Sequence, residues 1–373
     1  MTVYDTINLS SEEILHLSDE QKRELPTILD IVEYVSSLEN AEMRKYLNFD
    51  SDLLGFSRMG KYMVMSDKAW TNIPKLFPIS QTPFVLMRGQ NAYFTPSHPS
   101  LYRKNKILSE DYRLLSRLRA CEFILTFQYH PVVQEIRMNC KVEDMAIAQH
   151  YEFPTEYLDI TNNKWVAAFF AATYKSGDSY LPTETGFDKG VGVFYISNPI
   201  MKNNPHFGDN VFTLGFQYFE RPTRQYSMVY KMKEDEDMDK NSMFMRFVFR
   251  HDTEASKVVF NMSYKQHRFY PNDEWYEIAK QIKRDDYPLS IGAIELSRKY
   301  GVTLSDDEIR RVLDRHHVSL TDKQVPEAHL SAEQIAEDVR KWAEYGRPFI
   351  RNNTLPVLPV FNIQGLVKDN VNK

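Results

Sequence analysis

The chain has 373 residues, of which 42% are hydrophobic and 13% are aromatic, and its formal net charge is −5. This composition supplies a sizeable core for one large domain or two smaller ones, and it excludes a disordered chain and a generally basic nucleic-acid-binding surface. Two cysteines, Cys121 and Cys140, are too few for a disulfide framework or a thiolate zinc site. Since no apolar run approaches the roughly 20 residues that span a bilayer, we expect a cytoplasmic protein without membrane association.

The first part of the chain is predicted to be helical. Ser10-x-x-Glu13 is a capping-box pattern, and apolar residues recur at helical spacing from Ile31 to Leu47. The pattern breaks between Asn72 and Pro83, where three prolines predict a connector. We therefore place a boundary there, with a helical region over 1–77 and a central domain over 78–284.

The central domain is predicted to begin with a buried strand, Phe84–Met87, that ends in Arg88-Gly89-Gln90. A guanidinium stays charged at any relevant pH, so Arg88 needs either a carboxylate partner or an anionic ligand. Helices are then expected over Ser109–Phe127 and Val142–Tyr151.

The most distinctive stretch runs from Ala148 to Tyr174, where polar side chains lie between strongly apolar runs. Pro154 forces the chain out of helical geometry. Asp159 follows between apolar neighbours, and a carboxylate there must find partners because an unpaired buried charge is costly. Asp159 could tie down local backbone amides or serve a ligand, and His150 could satisfy a structural hydrogen bond or serve the same site.

Several strands and then helices are predicted in the second half of the chain. The strands are Val191–Ile196, Val211–Phe219, Ser227–Met232 and Phe244–Arg250. Helices are expected over Thr253–Tyr264 and Asp273–Lys283, and a third region, 285–373, is helical by pattern. The fold class predicted is α+β, with a central mixed or antiparallel sheet and helical regions at both ends.

The central stretch resembles the FRG domain family, whose pattern is Gln-His-x-Gly-Leu-Pro-Thr-Arg-Leu-Leu-Asp-Trp-Thr before an apolar helix. The matching residues are Gln149, His150, Pro154, Thr155, Leu158, Asp159 and Thr161. Arg88-Gly89 resembles the Phe/Tyr-Arg-Gly motif that names the family, and Pro99–Arg103 resembles a second motif. Arg221-x-x-x-Gln225 and Phe269–Asp273 extend the resemblance to about Ile282.

Several positions depart from the family pattern. Glu152 replaces a Gly, Glu156 an Arg, Ile160 a Trp and Ser227 a Gly. If the family Gly has a positive φ, Glu152 holds a strained backbone conformation, and replacing it by Gly should relax the turn. Glu156 would remove a positive charge from a phosphate pocket.

The resemblance implies an ADP-ribosyltransferase-like enzyme that uses NAD as co-substrate. The implied catalytic residues are Arg88, Asp159 and Gln225. The residues implied in binding NAD are Gln90, Arg103, Gln149, His150, Tyr151, Thr155 and Thr161. No metal site is expected, since His316 and His317 are adjacent on a predicted helix and no carboxylate cluster lies at ligand spacing.

The acceptor of ADP-ribose is an unidentified macromolecule, protein or nucleic acid, and a toxin or defence role is an analogy only. The C-terminal helices from Ile291 onward could cover the cleft or need a regulatory partner protein to open it. The alternative function is a non-catalytic binding or interaction module, in which Arg88 and Asp159 form an internal ion pair.

Overall fold

The computed structural model describes residues 1–47, 62–66, 74–78, 86–103, 110–139, 142–197, 210–214 and 218–348. Within these ranges the expected α+β class is confirmed, because many helices surround a six-stranded antiparallel sheet. The start of the strand predicted at Phe84, the helix cap predicted at Ser109, and residues 72–73 and 79–83 of the predicted connector lie outside the described residues. The described part of that connector, Pro74–Pro78, is a β-strand instead.

The helices α1 to α13 have the following bounds, in chain order: Ser11–Leu15, Asp19–Glu24, Ile28–Leu47, Glu110–Gln128, Pro131–Asn139, Asp144–His150, Lys164–Ala172, Glu220–Arg224, Thr253–Met262, Glu274–Ile282, Ile291–Lys299, Asp306–Arg315 and Ala332–Lys341. Short 3-10 turns lie at Tyr4–Asn8, Ser100–Tyr102, Phe187–Gly190 and Met238–Lys240, and Trp342–Gly346 forms one π-helical turn. The capping box predicted at Ser10 is confirmed, with its hydroxyl accepting from the Glu13 amide.

The strands β1 to β12 are Tyr62–Ser66, Pro74–Pro78, Met87–Gln90, Tyr157–Thr161, Thr173–Ser176, Ser179–Pro182, Val191–Ser197, Val211–Thr213, Ser227–Lys231, Phe244–Arg250, Leu289–Ser290 and Leu320–Thr321. The main sheet has the order β10-β7-β3-β4-β9-β8, and each neighbouring pair is antiparallel. Strands β5 and β6 form a separate hairpin that was not predicted from the sequence.

The two faces of the sheet are both covered, so the central strand β7 is buried along its whole length. One face packs against α3, α7 and α9 through a cluster that includes Ile31, Phe169 and Val259. The other face carries Leu158, Ile160 and neighbouring apolar side chains. Side chains alternate along a strand, so the faces on which these apolar residues lie also determine the face to which each remaining residue of β3 and β4 points.

Gly89 in β3 allows α7 to pack directly on the sheet. A Cβ at this position would lie 1.9 Å from the Ala167 carbonyl oxygen and 2.7 Å from Ala171 Cβ. Any larger residue would therefore push the helix away from the strand. The glycine next to Arg88 therefore has a packing role.

Both terminal helical regions pack onto the central part of the chain. Ile31 and Val35 of α3 share a cluster with α7, and Ala293 of α11 shares one with α4 and α10. The buried Glu122 carboxylate of α4 accepts hydrogen bonds from the amide and hydroxyl of Ser290, which caps α11. The division into three regions stays a prediction. Within the described ranges, no helix combines the length and apolar character needed to cross a membrane.

Candidate functional site

A helix end and a tight turn position the centre of the site. Helix α6 ends at His150, and the amides of Glu152 and Phe153 donate back to the carbonyls of Gln149 and Ala148 at 2.9 and 3.1 Å. These two bonds form a Schellman motif, whose turning residue has a left-handed conformation and is usually Gly. Glu152 takes that position with a φ of 69°. The residue that replaces the family Gly therefore does have the positive φ that was considered from the sequence.

His150 lies between Gln225 and Asp159. Its Nδ1 is 2.9 Å from Gln225 Oε1, and its Nε2 is 3.6 Å from Asp159 Oδ1. Gln225 follows α8, and its amide nitrogen donates to the Phe269 carbonyl at 2.9 Å. Burial lowers the pKa of His150 from its usual 6.5, and the nearby Asp159 charge offsets this only in part. His150 is therefore neutral at physiological pH.

Glu152 is held by two lysines and a tyrosine. Its carboxylate forms ion pairs with Lys175 of the β5–β6 hairpin and, at 3.1 Å, with Lys283, and it accepts from the Tyr270 hydroxyl. Burial acts to raise the pKa of Glu152, but Lys283, Lys175 and the Tyr270 hydroxyl outweigh it and hold the pKa at about 2. The carboxylate is ionised, and its contacts tie the turn to the hairpin.

These groups open onto a cleft of about 190 Å³. Its lining residues come from separate parts of the chain and combine polar groups with aromatic rings: Ser100, Arg103, Gln149, His150, Glu152, Phe153, Asp159, Phe170, Tyr180, Gln225 and Tyr270. None of them lies beyond Tyr270, so the described C-terminal helices form no part of its wall.

The structure brings five of the ten predicted site residues to this cleft: Arg103, Gln149, His150, Asp159 and Gln225. Arg103 is exposed at the rim, where its Nε donates to the His98 carbonyl at 3.3 Å. Asp159 Oδ1 and His150 Nε2 are buried, and neither has a hydrogen-bond partner among the described residues. The cleft therefore contains unused hydrogen-bonding capacity.

Arg88 lies next to the cleft but is not among its lining residues. Strands β3 and β4 pair only at Met87 and Thr161. By strand alternation the side chain of Arg88 points to the sheet face that carries Ile160, opposite to the Asp159 carboxylate. Its guanidinium donates to the main-chain carbonyl of Asp159 at 2.7 Å, so the Arg88–Asp159 ion pair of the alternative function is not the contact formed. Burial lowers the pKa of Arg88 to about 10, although the Asp159 charge acts against this change.

The other four predicted site residues make internal contacts instead of lining the cleft. Gln90 donates to Ser97 on the same face as Arg88. Tyr151 is fully buried, and its hydroxyl donates to Asp273. Thr155 donates to the Gln149 side chain, and Thr161 donates to the Gln225 carbonyl at 2.8 Å. The two threonines therefore position Gln149 and Gln225, which do line the cleft.

A comparison with protein families matches some of the chain that builds this site. The FRG domain family model matches residues 84–179. The chain contains an FRG domain. The match includes β3, the Glu152 turn, β4 and α7, whereas Gln225 and Phe269–Asp273 lie outside it, so the resemblance of that second segment stays a prediction. No curated protein and no solved structure matches the chain.

Within the FRG domain, the departure at Glu156 does not affect the cleft. The Glu156 carboxylate pairs with Arg117 of α4 at 2.9 Å and with Lys231 of β9 at 3.9 Å. It is not among the lining residues, so the charge expected to disturb a phosphate pocket is neutralised elsewhere.

The aromatic wall of the cleft was not predicted from the sequence. Phe170 was read only as part of an apolar helix, and Tyr180 belongs to the unexpected β5–β6 hairpin. Tyr270 lay in a recognised motif and could have been identified there. The Tyr270 ring also stacks on the fully buried guanidinium of Arg221. That guanidinium lies 3.9 Å from the ring centroid of Tyr270 and 4.1 Å from the ring centroid of Tyr276. This stacked cation fixes one wall of the site.

Proposed function

We propose that this FRG domain protein is an NAD-dependent ADP-ribosyltransferase that transfers ADP-ribose to a macromolecular acceptor, in a toxin or defence setting. One observation carries the proposal: the buried Asp159 Oδ1, which has no hydrogen-bond partner among the described residues, lies at a cleft that is also lined by Phe170, Tyr180 and Tyr270. Aromatic side chains favour a flat ring, and an unpaired carboxylate favours a cation. The nicotinamide ribose end of NAD presents both.

The reaction breaks the bond between the ribose C1′ and the nicotinamide nitrogen, and the bonding electrons move to the ring. The ribose becomes positively charged in the transition state. A fixed carboxylate is most valuable where charge develops in this way, because it needs no rearrangement during the reaction. Asp159 would supply this charge, and Glu152 less so, since two lysines already neutralise it.

The size of the cleft limits what it can take. About 190 Å³ is below the roughly 300–1,000 Å³ of pockets that enclose a whole drug-sized ligand. The cleft therefore suits the nicotinamide ribose end, with the remainder of the dinucleotide outside it. Arg103, exposed at the rim, replaces Arg88 as the proposed partner of the pyrophosphate.

A second function, a non-catalytic binding or interaction module, is favoured by the position of Arg88. Its guanidinium is used internally, on the Asp159 carbonyl, and is not presented to the cleft. An FRG domain of this kind would hold a partner or nucleotide without turning it over.

The decisive experiment measures nicotinamide release from NAD and transfer of labelled ADP-ribose to macromolecules in a cell extract. Asp159→Asn should lower nicotinamide release about 100-fold, the usual cost of removing one preorganised electrostatic group. The matched control is Asp235→Asn, the same chemical change at an exposed loop residue, which should leave the rate unchanged.

The two functions predict different results for the wild-type protein. Nicotinamide release above that of a heat-killed sample supports the transferase. NAD-induced thermal stabilisation without release supports the binding module. Neither effect, with and without extract, would rule out NAD as the ligand.

A further inference from the structure

The hydrogen bonds around Gln225 determine which nitrogen of His150 carries its proton. The Gln225 amide nitrogen donates to the Phe269 carbonyl, which can only accept. The amide oxygen therefore faces His150 Nδ1 at 2.9 Å and must receive a hydrogen there. Neutral His150 is thus the Nδ1–H tautomer, and its Nε2 carries a lone pair.

This tautomer leaves two acceptors facing each other inside the cleft. His150 Nε2 and Asp159 Oδ1 are 3.6 Å apart, both are buried, and neither has a hydrogen-bond donor among the described residues. A separation of 3.6 Å is too long for a hydrogen bond between them. A hydrogen-bond donor from a bound molecule could therefore lie against both His150 Nε2 and Asp159 Oδ1.

We propose that His150 is the general base of the reaction, that it takes its proton from a neutral hydroxyl of the acceptor, and that Gln225 is a positioning residue that fixes the ring of His150. This inference rests on the proposed ADP-ribosyl transfer and deepens it. It changes the role that the family resemblance gave to Gln225, whose side chain is already occupied on both ends.

The step balances without a further reactant. The hydroxyl oxygen bonds to the ribose C1′ as the bond from C1′ to the nicotinamide nitrogen breaks, and the hydroxyl proton passes to His150 Nε2. The imidazolium so formed lies 3.6 Å from the Asp159 carboxylate, which stabilises it until the proton reaches solvent. A carboxylate acceptor is disfavoured, because it carries no proton to give and Asp159 repels it.

The charged groups that face His150 set the expected pH dependence. Asp159 of β4 raises the pKa of His150, Arg221 of α8 lowers it, and burial, the largest effect, also lowers it. The base is active when neutral. The rate should therefore rise with pH through a value below 6.5 and then level off.

The tautomer can be tested by NMR without NAD. Long-range correlation of the imidazole nitrogens in ¹⁵N-labelled protein at pH 7.5 should show Nδ1 protonated and Nε2 unprotonated, with the signals assigned by their loss in His150→Gln. Gln225→Leu removes the acceptor at Nδ1 and should shift the population toward Nε2–H, which can then donate toward Asp159. An Nε2–H tautomer or an imidazolium in the wild-type protein would overturn the proposal.

Kinetics test the base role separately. His150→Gln should lower nicotinamide release and transfer by about 100-fold or more and abolish the acidic limb of the pH profile, whereas His16→Gln, at an exposed position, should change neither. Gln225→Leu should lower kcat with little change in KM. The ADP-ribose bond formed should resist neutral hydroxylamine, which cleaves esters of carboxylate acceptors.

The outcomes separate the two levels of the proposal. No turnover by the wild-type protein would overturn the transferase and the base role together. Wild-type turnover with an unchanged rate or pH profile in His150→Gln, or a hydroxylamine-labile product, would overturn the base role alone and leave the transferase standing.

Discussion

The charge and the backbone conformation of Glu152 have opposite effects on stability, and two substitutions can separate them. Glu152→Gln removes the charge and keeps the strained φ of 69°. Glu152→Gly removes both the charge and the strain. The free energy of unfolding of each variant, measured by urea denaturation, is compared with that of the wild type.

The structure supplies the magnitudes. A fall in the pKa of Glu152 from 4.5 to about 2 corresponds to about 3 kcal/mol of stability at neutral pH, since one pKa unit is about 1.4 kcal/mol. A non-glycine residue in the left-handed region costs about 1–2 kcal/mol. We therefore expect Glu152→Gln to lose about 3 kcal/mol and Glu152→Gly to lose about 2 kcal/mol, because glycine recovers the strain. Relaxing the turn does not by itself stabilise the protein.

The pH dependence provides the control. Because the pKa of Glu152 is lowered by folding, its contribution is fully present above pH 4.5 and is lost as the pH falls through about 2. The deficit of Glu152→Gln should thus shrink between pH 5 and pH 3. A loss below about 0.5 kcal/mol at pH 7, or a deficit that does not change with pH, would refute the reasoning.

Two further predictions concern charged groups outside the cleft. Arg88→Ala should lower the free energy of unfolding by about 2 kcal/mol, because the Asp159 carbonyl loses a charged donor; unchanged stability in urea would instead favour a ligand-binding role. Burial raises the pKa of Glu122 to about 7, so its contribution to stability is fully present below pH 4.5 and is lost as the pH rises through about 7. Glu122→Gln should therefore be more stable than the wild type at pH 8.5 by about 3 kcal/mol and equal to it at pH 4, and a difference that does not depend on pH would contradict this account.

Local signals in the sequence were sufficient for many of the elements. Ser10 precedes a glutamate three residues later and forms the predicted capping box, and Ser305 forms the same arrangement with Glu308. The strands Ser227–Lys231 and Phe244–Arg250 lie close to where their alternating apolar residues predicted them. Such features depend on neighbours within a few residues, so the sequence contains the information directly. The family pattern also indicated the turn in which Glu152 has a positive φ.

The tertiary structure decided which of the recognised residues line the cleft. Arg88 and Asp159 come close together as expected, but the pairing of β3 with β4 places their side chains on opposite faces of the sheet. Likewise Thr161 could be recognised as part of a motif, but only the packing of β4 beside Gln225 shows that its hydroxyl is used internally. Side-chain direction follows from strand register and long-range contacts, and one sequence does not contain these in readable form. The sequence could therefore indicate the motifs that build the site, but only the folded chain shows that His150 Nε2 and Asp159 Oδ1 have no hydrogen-bond donor within the described part of the chain.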